Sequence, residues 1–239
     1  MMEQDTRPAA KASALDVDTV AATVLRLISE TFCRIGGERY LRENGTFGIT
    51  TLRKSQVSVE SRAARFEYRG KGKIWQRQMI IDRDLIRLIA RQLRTPGPRV
   101  FTYRRGAQWR TLSAQDVNSY LRRRAGRYSA KDFRTWGATL RAATVLAELG
   151  AAQSEREAKR NVALAMRLVS SELGNTPAIC RSSYVHPMVI ARYLDDGDTI
   201  ALSRGRSATR GRAHSPEERA LIAFLERHFP ERRRAPRGE

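Results

Sequence analysis

The chain is short of the residues that build metal and redox sites. It holds two cysteines, Cys33 and Cys180, and three scattered histidines, His186, His214 and His228. These form neither a disulfide framework nor a ligand set, and no CxxC, HExxH or phosphate-loop pattern occurs. The chemistry is therefore expected to need no metal and no cofactor. No apolar run approaches the length of a bilayer span, and no signal segment is visible at the N-terminus, so a soluble, cytoplasmic protein is expected. Acid is scarce: 25 Asp and Glu stand against 45 Lys and Arg, a formal charge of +20. The natural partner of such a surface is a polyanion, and nucleic acid rather than a membrane is the expected one.

The 239 residues, 41% of them hydrophobic, suffice for one large domain or two small ones. Residues 1–16 are polar and Ala-rich and read as a disordered tail. Asp18 to Phe32 carries apolar residues at helical spacing. Short β-rich runs follow at Phe47 to Leu52, Val57 to Val59, Arg65 to Tyr68 and Ile74 to Ile80. Gly70-Lys71-Gly72 supplies a tight hairpin turn between the last two. This predicts a small antiparallel sheet over about 47–81. After Asp82 the chain reads as helical to 196, with starts marked by Ser113, Ser129, Ser154, Thr176-Pro177 and Pro187. Residues 197–214 are rich in Arg, Gly and Ser and read as a flexible basic linker. Ser215-Pro216 opens a last helix before a basic tail at 232–234. The fold class expected is α+β, with a small antiparallel sheet beside a mostly helical part.

Two segments carry the chemical signal. Lys131-Asp132-Phe133-Arg134-Thr135-Trp136-Gly137 offers two cations at i and i+3, one helical turn apart. Gly174-Asn175-Thr176-Pro177 through Ser183-Tyr184 places a phenol late in a short helix opened by Pro177. A tyrosine beside fixed arginines suits phosphoryl transfer through a covalent phosphotyrosine. Arginine stays charged and grips two phosphate oxygens at once, and lysine can serve as a proton donor. Two further segments join them: Arg34-Ile35-Gly36-Gly37-Glu38-Arg39-Tyr40 with Glu43 to Leu52, and Gly70-Lys71-Gly72-Lys73.

In this order the segments resemble the catalytic core of type IB DNA topoisomerases, the small poxvirus and bacterial kind, over about residues 17–196. The resemblance implies a fold shared with tyrosine recombinases. It implies an ATP-independent isomerase that nicks one strand of duplex DNA, holds it through a 3′-phosphotyrosyl bond, permits rotation and reseals. Tyr184 would be the nucleophile, Arg34 and Arg134 the phosphate clamp, and Lys71 the general acid. Asn175 would be a phosphate donor where other branches carry His, and Lys131 a supporting cation. Gly36, Tyr40, Arg122, Arg123 and Lys159 would contact double-stranded DNA, and Arg124 and Arg127 are further backbone candidates. A nucleoid-associated monomer is implied.

Each residue alone has a plainer reading: Arg34 a surface arginine, Lys71 a solvated turn residue, Arg134 a cover for an apolar helix face. Asn175 alone reads as part of a helix end, and Tyr184 as a half-buried core phenol. Their joint order reverses those priors. Trp136 is expected to pack in the core, His186 to mark a helix break, and Cys180 to be a small packed side chain. The chain starts about where the family's catalytic domain starts. A catalytic domain without the usual N-terminal β domain is therefore expected, with a separate clamp partner as an open possibility. The alternatives are a recombinase-like strand transferase, although such enzymes carry His-x-x-Arg where this chain has Lys131 to Arg134, and a catalytically weak DNA-binding remnant.

Overall fold

The computed structural model describes residues 15–202 and 214–229. The chain divides into two compact units, one ending at Arg134 and the other starting at Thr135. Residues 1–14 of the proposed 1–16 tail, most of the basic linker and the arginines at 232–234 lie outside the described residues.

The first unit is built around helix α1 (Val17–Thr31). Asp16 caps it, its carboxylate accepting from the Thr19 N–H at 2.7 Å. Val20, Ala21, Val24, Leu27 and Ile28 are completely buried, so α1 is covered on most of its circumference. Small and hydroxylated residues make that possible: the buried Thr23 and Thr31 hydroxyls donate to carbonyls one turn back. Packed into the same core are a three-stranded antiparallel sheet and helices α3 (Arg83–Leu93) and α4 (Ala114–Ala125). The strands are β1 (Val57–Val59), β2 (Ala64–Arg69) and β3 (Trp75–Ile80), with β2 central. Strict alternation on β2 sends Ala64, Phe66 and Tyr68 inward. Asp82 joins two parts of this unit: one oxygen caps α3 through the Leu85 N–H, and the other accepts from Arg26 on α1 at 2.7 Å.

Two expectations need correction. Phe47 to Leu52 is not a strand. The Ile49 and Thr50 N–H groups donate to the carbonyls of Arg34 and Ile35, and Thr51 turns back onto Gly48, giving a single 3₁₀ turn (Ile49–Thr51). A short helix, α2 (Glu38–Asn44), fills the stretch before it. The chain after Asp82 is not wholly helical either: β4 (Thr102–Arg105) and β5 (Gln108–Thr111) form a second hairpin between α3 and α4.

Helix α5 (Ala130–Leu149) begins in the first unit and runs into the second. From Thr135 onward the second unit is helical among its described residues: the rest of α5, α6 (Glu155–Leu173), α7 (Pro177–Ser183), α8 (Pro187–Asp196) and α9 (Pro216–His228). Ala138, Ala142, Ala143, Ala158 and Ala165 are buried, and such small side chains allow close helix packing. The buried Tyr193 hydroxyl donates to the Gly150 carbonyl at 2.7 Å and accepts from Asn161 at 2.8 Å. Asp198 receives both Arg227 and His228, tying the segment after α8 to α9. No described helix is long and apolar enough to cross a membrane.

Candidate active site

The path to Arg34 is set where α1 ends. Phe32 takes a left-handed backbone (φ +52°) and its N–H donates to the Ile28 carbonyl. Cys33 then turns inward, 4% exposed, and Arg34 follows half-buried. Two glycines fix the next residues. A Cβ on Gly48 would lie 2.4 Å from the Gly36 Cα and 2.7 Å from the Arg34 carbonyl oxygen. Gly36 itself has φ +85°, and a Cβ there would meet the Gly48 Cα at 2.8 Å. The two backbones touch because neither has a side chain, and this contact pins the Arg34 carbonyl on the Ile49 N–H at 2.9 Å. Gly36 is thus a packing residue here, while Tyr40 on α2 is 63% exposed.

Lys71 sits at the exposed tip between β2 and β3, in a 3₁₀ turn (Lys71–Lys73). Gly72 and Lys73 both have positive φ, and the Gly70 N–H closes the turn on the Ile74 carbonyl at 2.8 Å. Arg69 donates to the Lys73 carbonyl at 2.9 Å and stacks over Trp75 at 4.3 Å.

Asp132 explains its own place in the Lys131–Arg134 segment. Its carboxylate accepts from the Ser129 N–H and hydroxyl, both at 2.8 Å, and so starts α5. Asn118 adds a bond from the Ala130 N–H at 3.0 Å. With the helix start fixed, Lys131 points to solvent and Arg134 is 4% exposed. A guanidinium cannot shed its charge, so such burial demands a polar surround. Sequence reasoning also passed over two buried titratable groups of this unit, the Cys33 thiol and the Tyr68 hydroxyl. Burial pushes the Cys33 thiol up and the Tyr68 phenol well above its ordinary range; the charges of Arg134 and Arg34 oppose both shifts. Arg34 and Arg134, a hundred residues apart in sequence, therefore act on the same buried pair. Tyr68 lies on the strand that leads into the Lys71 turn.

In the second unit, Gly174 ends α6 in the left-handed region (φ +61°), and the Asn175 N–H donates back to the Ser170 carbonyl at 3.0 Å. Thr176 caps α7 and Pro177 occupies its first turn. Tyr184 stands one residue past the helix, half-buried, its N–H on the Cys180 carbonyl at 3.1 Å. Cys180 and Val185 are buried on either side. Thr139 of α5 holds this turn. Its hydroxyl accepts from the His186 N–H at 3.0 Å and lies 3.2 Å from the Tyr184 carbonyl and 2.8 Å from that of Thr135. Nothing in the sequence marks Thr139, since a hydroxyl inside a helix gains meaning only from what the fold brings to it. His186 does mark a helix break: its ring nitrogen accepts from the Met188 N–H and caps α8. Trp136 is half-buried, and its indole donates to Glu218 of α9 at 3.1 Å. Among the described residues no group of acidic, Cys and His side chains could hold a metal ion.

Three of the expected DNA contacts have local partners. Arg123 pairs with Asp18, Lys159 with Glu155, and Arg122 donates to Ser119 at 3.1 Å.

The family described as eukaryotic DNA topoisomerase I, catalytic core, matches residues 3–203. The chain belongs to this family. A DNA topoisomerase 1B of Acanthamoeba polyphaga mimivirus is 26% identical over 186 residues, which cover 74% of this chain and 55% of that protein. The chain spans about half the length of this curated relative. The α+β architecture, mostly helical with small antiparallel sheets, is that of a topoisomerase I catalytic core.

Proposed function

We propose that this chain is a type IB DNA topoisomerase core that relaxes supercoiled duplex DNA through a 3′-phosphotyrosyl intermediate. What carries the reading is the match to the topoisomerase I catalytic core over residues 3–203, within which Arg134 is held at 4% exposure. Arg34 and Arg134 supply the guanidiniums that clamp nonbridging phosphate oxygens. Tyr184 supplies the nucleophile. Its oxygen bonds to the scissile phosphorus as the bond to the 5′ oxygen breaks, and its phenolic proton passes to solvent. The exposed Lys71 ammonium protonates the leaving 5′ oxygen, and Lys131 adds positive charge. Asn175 donates to a phosphate oxygen. Resealing reverses these steps, and the phosphotyrosyl ester conserves the bond energy, so no ATP is consumed. The chain acts as a monomer on double-stranded DNA.

A nicked suicide duplex incubated with the protein, in chelator and without ATP, should yield a covalent adduct that disappears in Tyr184→Phe. Arg134→Ala should slow adduct formation by about 10²–10³, the usual cost of one preorganised donor. No adduct and no plasmid relaxation at low salt, at any protein level, would sink the reading.

A further inference from the structure

The hairpin β4–β5, absent from the sequence-based expectation, occupies the least acidic stretch of the chain. From Leu85 to Gln115 there is no Asp or Glu, while seven arginines fall in the same 31 residues. The base of the hairpin is locked into the core. Phe101 and Leu112 are fully buried, the Leu112 N–H donates to the Phe101 carbonyl at 2.9 Å, and the Arg104 N–H donates to the Leu15 carbonyl at 2.7 Å. Everything from Arg104 to Thr111 is exposed. At the tip, Gly106 (φ +59°) has only open space where a Cβ would stand.

Several surface arginines among the described residues are neutralised locally, as Arg65 is by Glu60, Arg77 by Glu67, Arg87 by Asp84 and Arg192 by Asp196. The hairpin arginines are not. Arg104 bonds only the Gly106 carbonyl of its own turn, at 3.0 Å, and the Arg105 and Arg110 side chains meet no acid among the described residues. The cross-strand register puts Arg104 opposite Trp109 on one face, and Tyr103 opposite Arg110 beside Arg105 on the other. The ribbon is thus cationic on both faces and held rigid at its base.

We propose that β4–β5 is a contact surface for the phosphate backbone of duplex DNA, engaged through Arg104, Arg105 and Arg110. The proposal rests on the topoisomerase reading for its choice of polyanion. A guanidinium fork bonds two phosphate oxygens without reading the base, so the contact is independent of sequence. Each phosphate neutralised releases counterions, which makes the contact countable: the slope of log affinity against log salt changes by about 0.9 per phosphate.

The test is fluorescence anisotropy with a short labelled duplex between about 50 and 200 mM salt, the range over which such slopes are resolved. The triple variant Arg104→Gln, Arg105→Gln, Arg110→Gln should lower the magnitude of the slope by about 2–3 and weaken binding about 10–100-fold, equally on unrelated sequences. A control of equal charge change, Arg77→Gln, Arg87→Gln, Arg192→Gln, should move the slope by well under half as much. Circular dichroism melting verifies that both variants are folded, and the three single substitutions stand in if the triple variant is not. An unchanged slope in the hairpin variant, or equal loss in both variants, overturns the proposal. A wild-type protein that fails to bind duplex at all overturns the topoisomerase reading instead, and the hairpin assignment with it.

Discussion

Arg134 draws its chemical meaning from its neighbours. A permanently charged group held at 4% exposure demands polar surroundings. Cys33 and Tyr68 stay protonated in this setting. Because burial raises both values, the native state keeps those protons to higher pH than the unfolded chain does. Their contribution to stability is therefore complete below the unfolded thiol value of about 8.5 and is lost as pH rises through the folded values. Denaturant midpoints should fall between about pH 9 and 10, with a smaller fall in Cys33→Ala, whose thiol no longer titrates. Thr139 supports a second prediction. Thr139→Val keeps the shape but strands the His186 N–H, at a cost of about 1–3 kcal/mol. Loosening the turn that carries Tyr184 should slow adduct formation by about 10²-fold, while Thr139→Ser, which keeps the hydroxyl, should stay near wild type. A melting curve and a single-turnover adduct assay separate the two effects. The five proposed positions, Arg34, Lys71, Arg134, Asn175 and Tyr184, are named from order and residue type. Thr139, Cys33 and Tyr68 could not be, because their roles arise from side chains meeting across long stretches of chain.

The elements most legible in the sequence are those with strong local punctuation. Ser113, Ser129, Ser154, Thr176 and Ser215 all start helices where expected, since a capping hydroxyl or carboxylate declares itself within four residues. The strands β1 to β3 follow their two-residue alternation. Legibility fails where the partner is distant. The segment at 47–52 looks like a strand, yet its N–H groups go to the carbonyls of Arg34 and Ile35 rather than to the sheet. The β4–β5 ribbon is too exposed and too rich in arginine to show an apolar period. The Gly36–Gly48 contact yields the prediction that belongs at this scale. Gly48→Ala drives a methyl into backbone atoms that cannot yield cheaply, and should cost roughly 1–3 kcal/mol or more. Urea unfolding measures that loss, and the adduct rate should fall with it because the Arg34 carbonyl is displaced from Ile49.

For the molecule as a whole, net charge predicts a polyanion but not where it lies. Local pairing bears on that: Arg123 and Lys159 have acid partners, while Arg104, Arg105 and Arg110 of the hairpin meet none among the described residues. The sequence allows one large domain or two small ones, and the chain packs as two compact units. Their division falls between Arg134 and Thr135, inside the 20 residues of α5, with a capped start four residues upstream. A helix interior offers a protease no extended peptide, and a cloning boundary placed there would cut a hydrogen-bonded ladder. The usual route of dissecting a protein at the linker between its parts is thus closed at this point. Fragments made by cutting at residue 134 would have lost the helix that gives Arg134 and Thr139 their positions, so reassembling the two halves from separate chains would mean rebuilding α5 first.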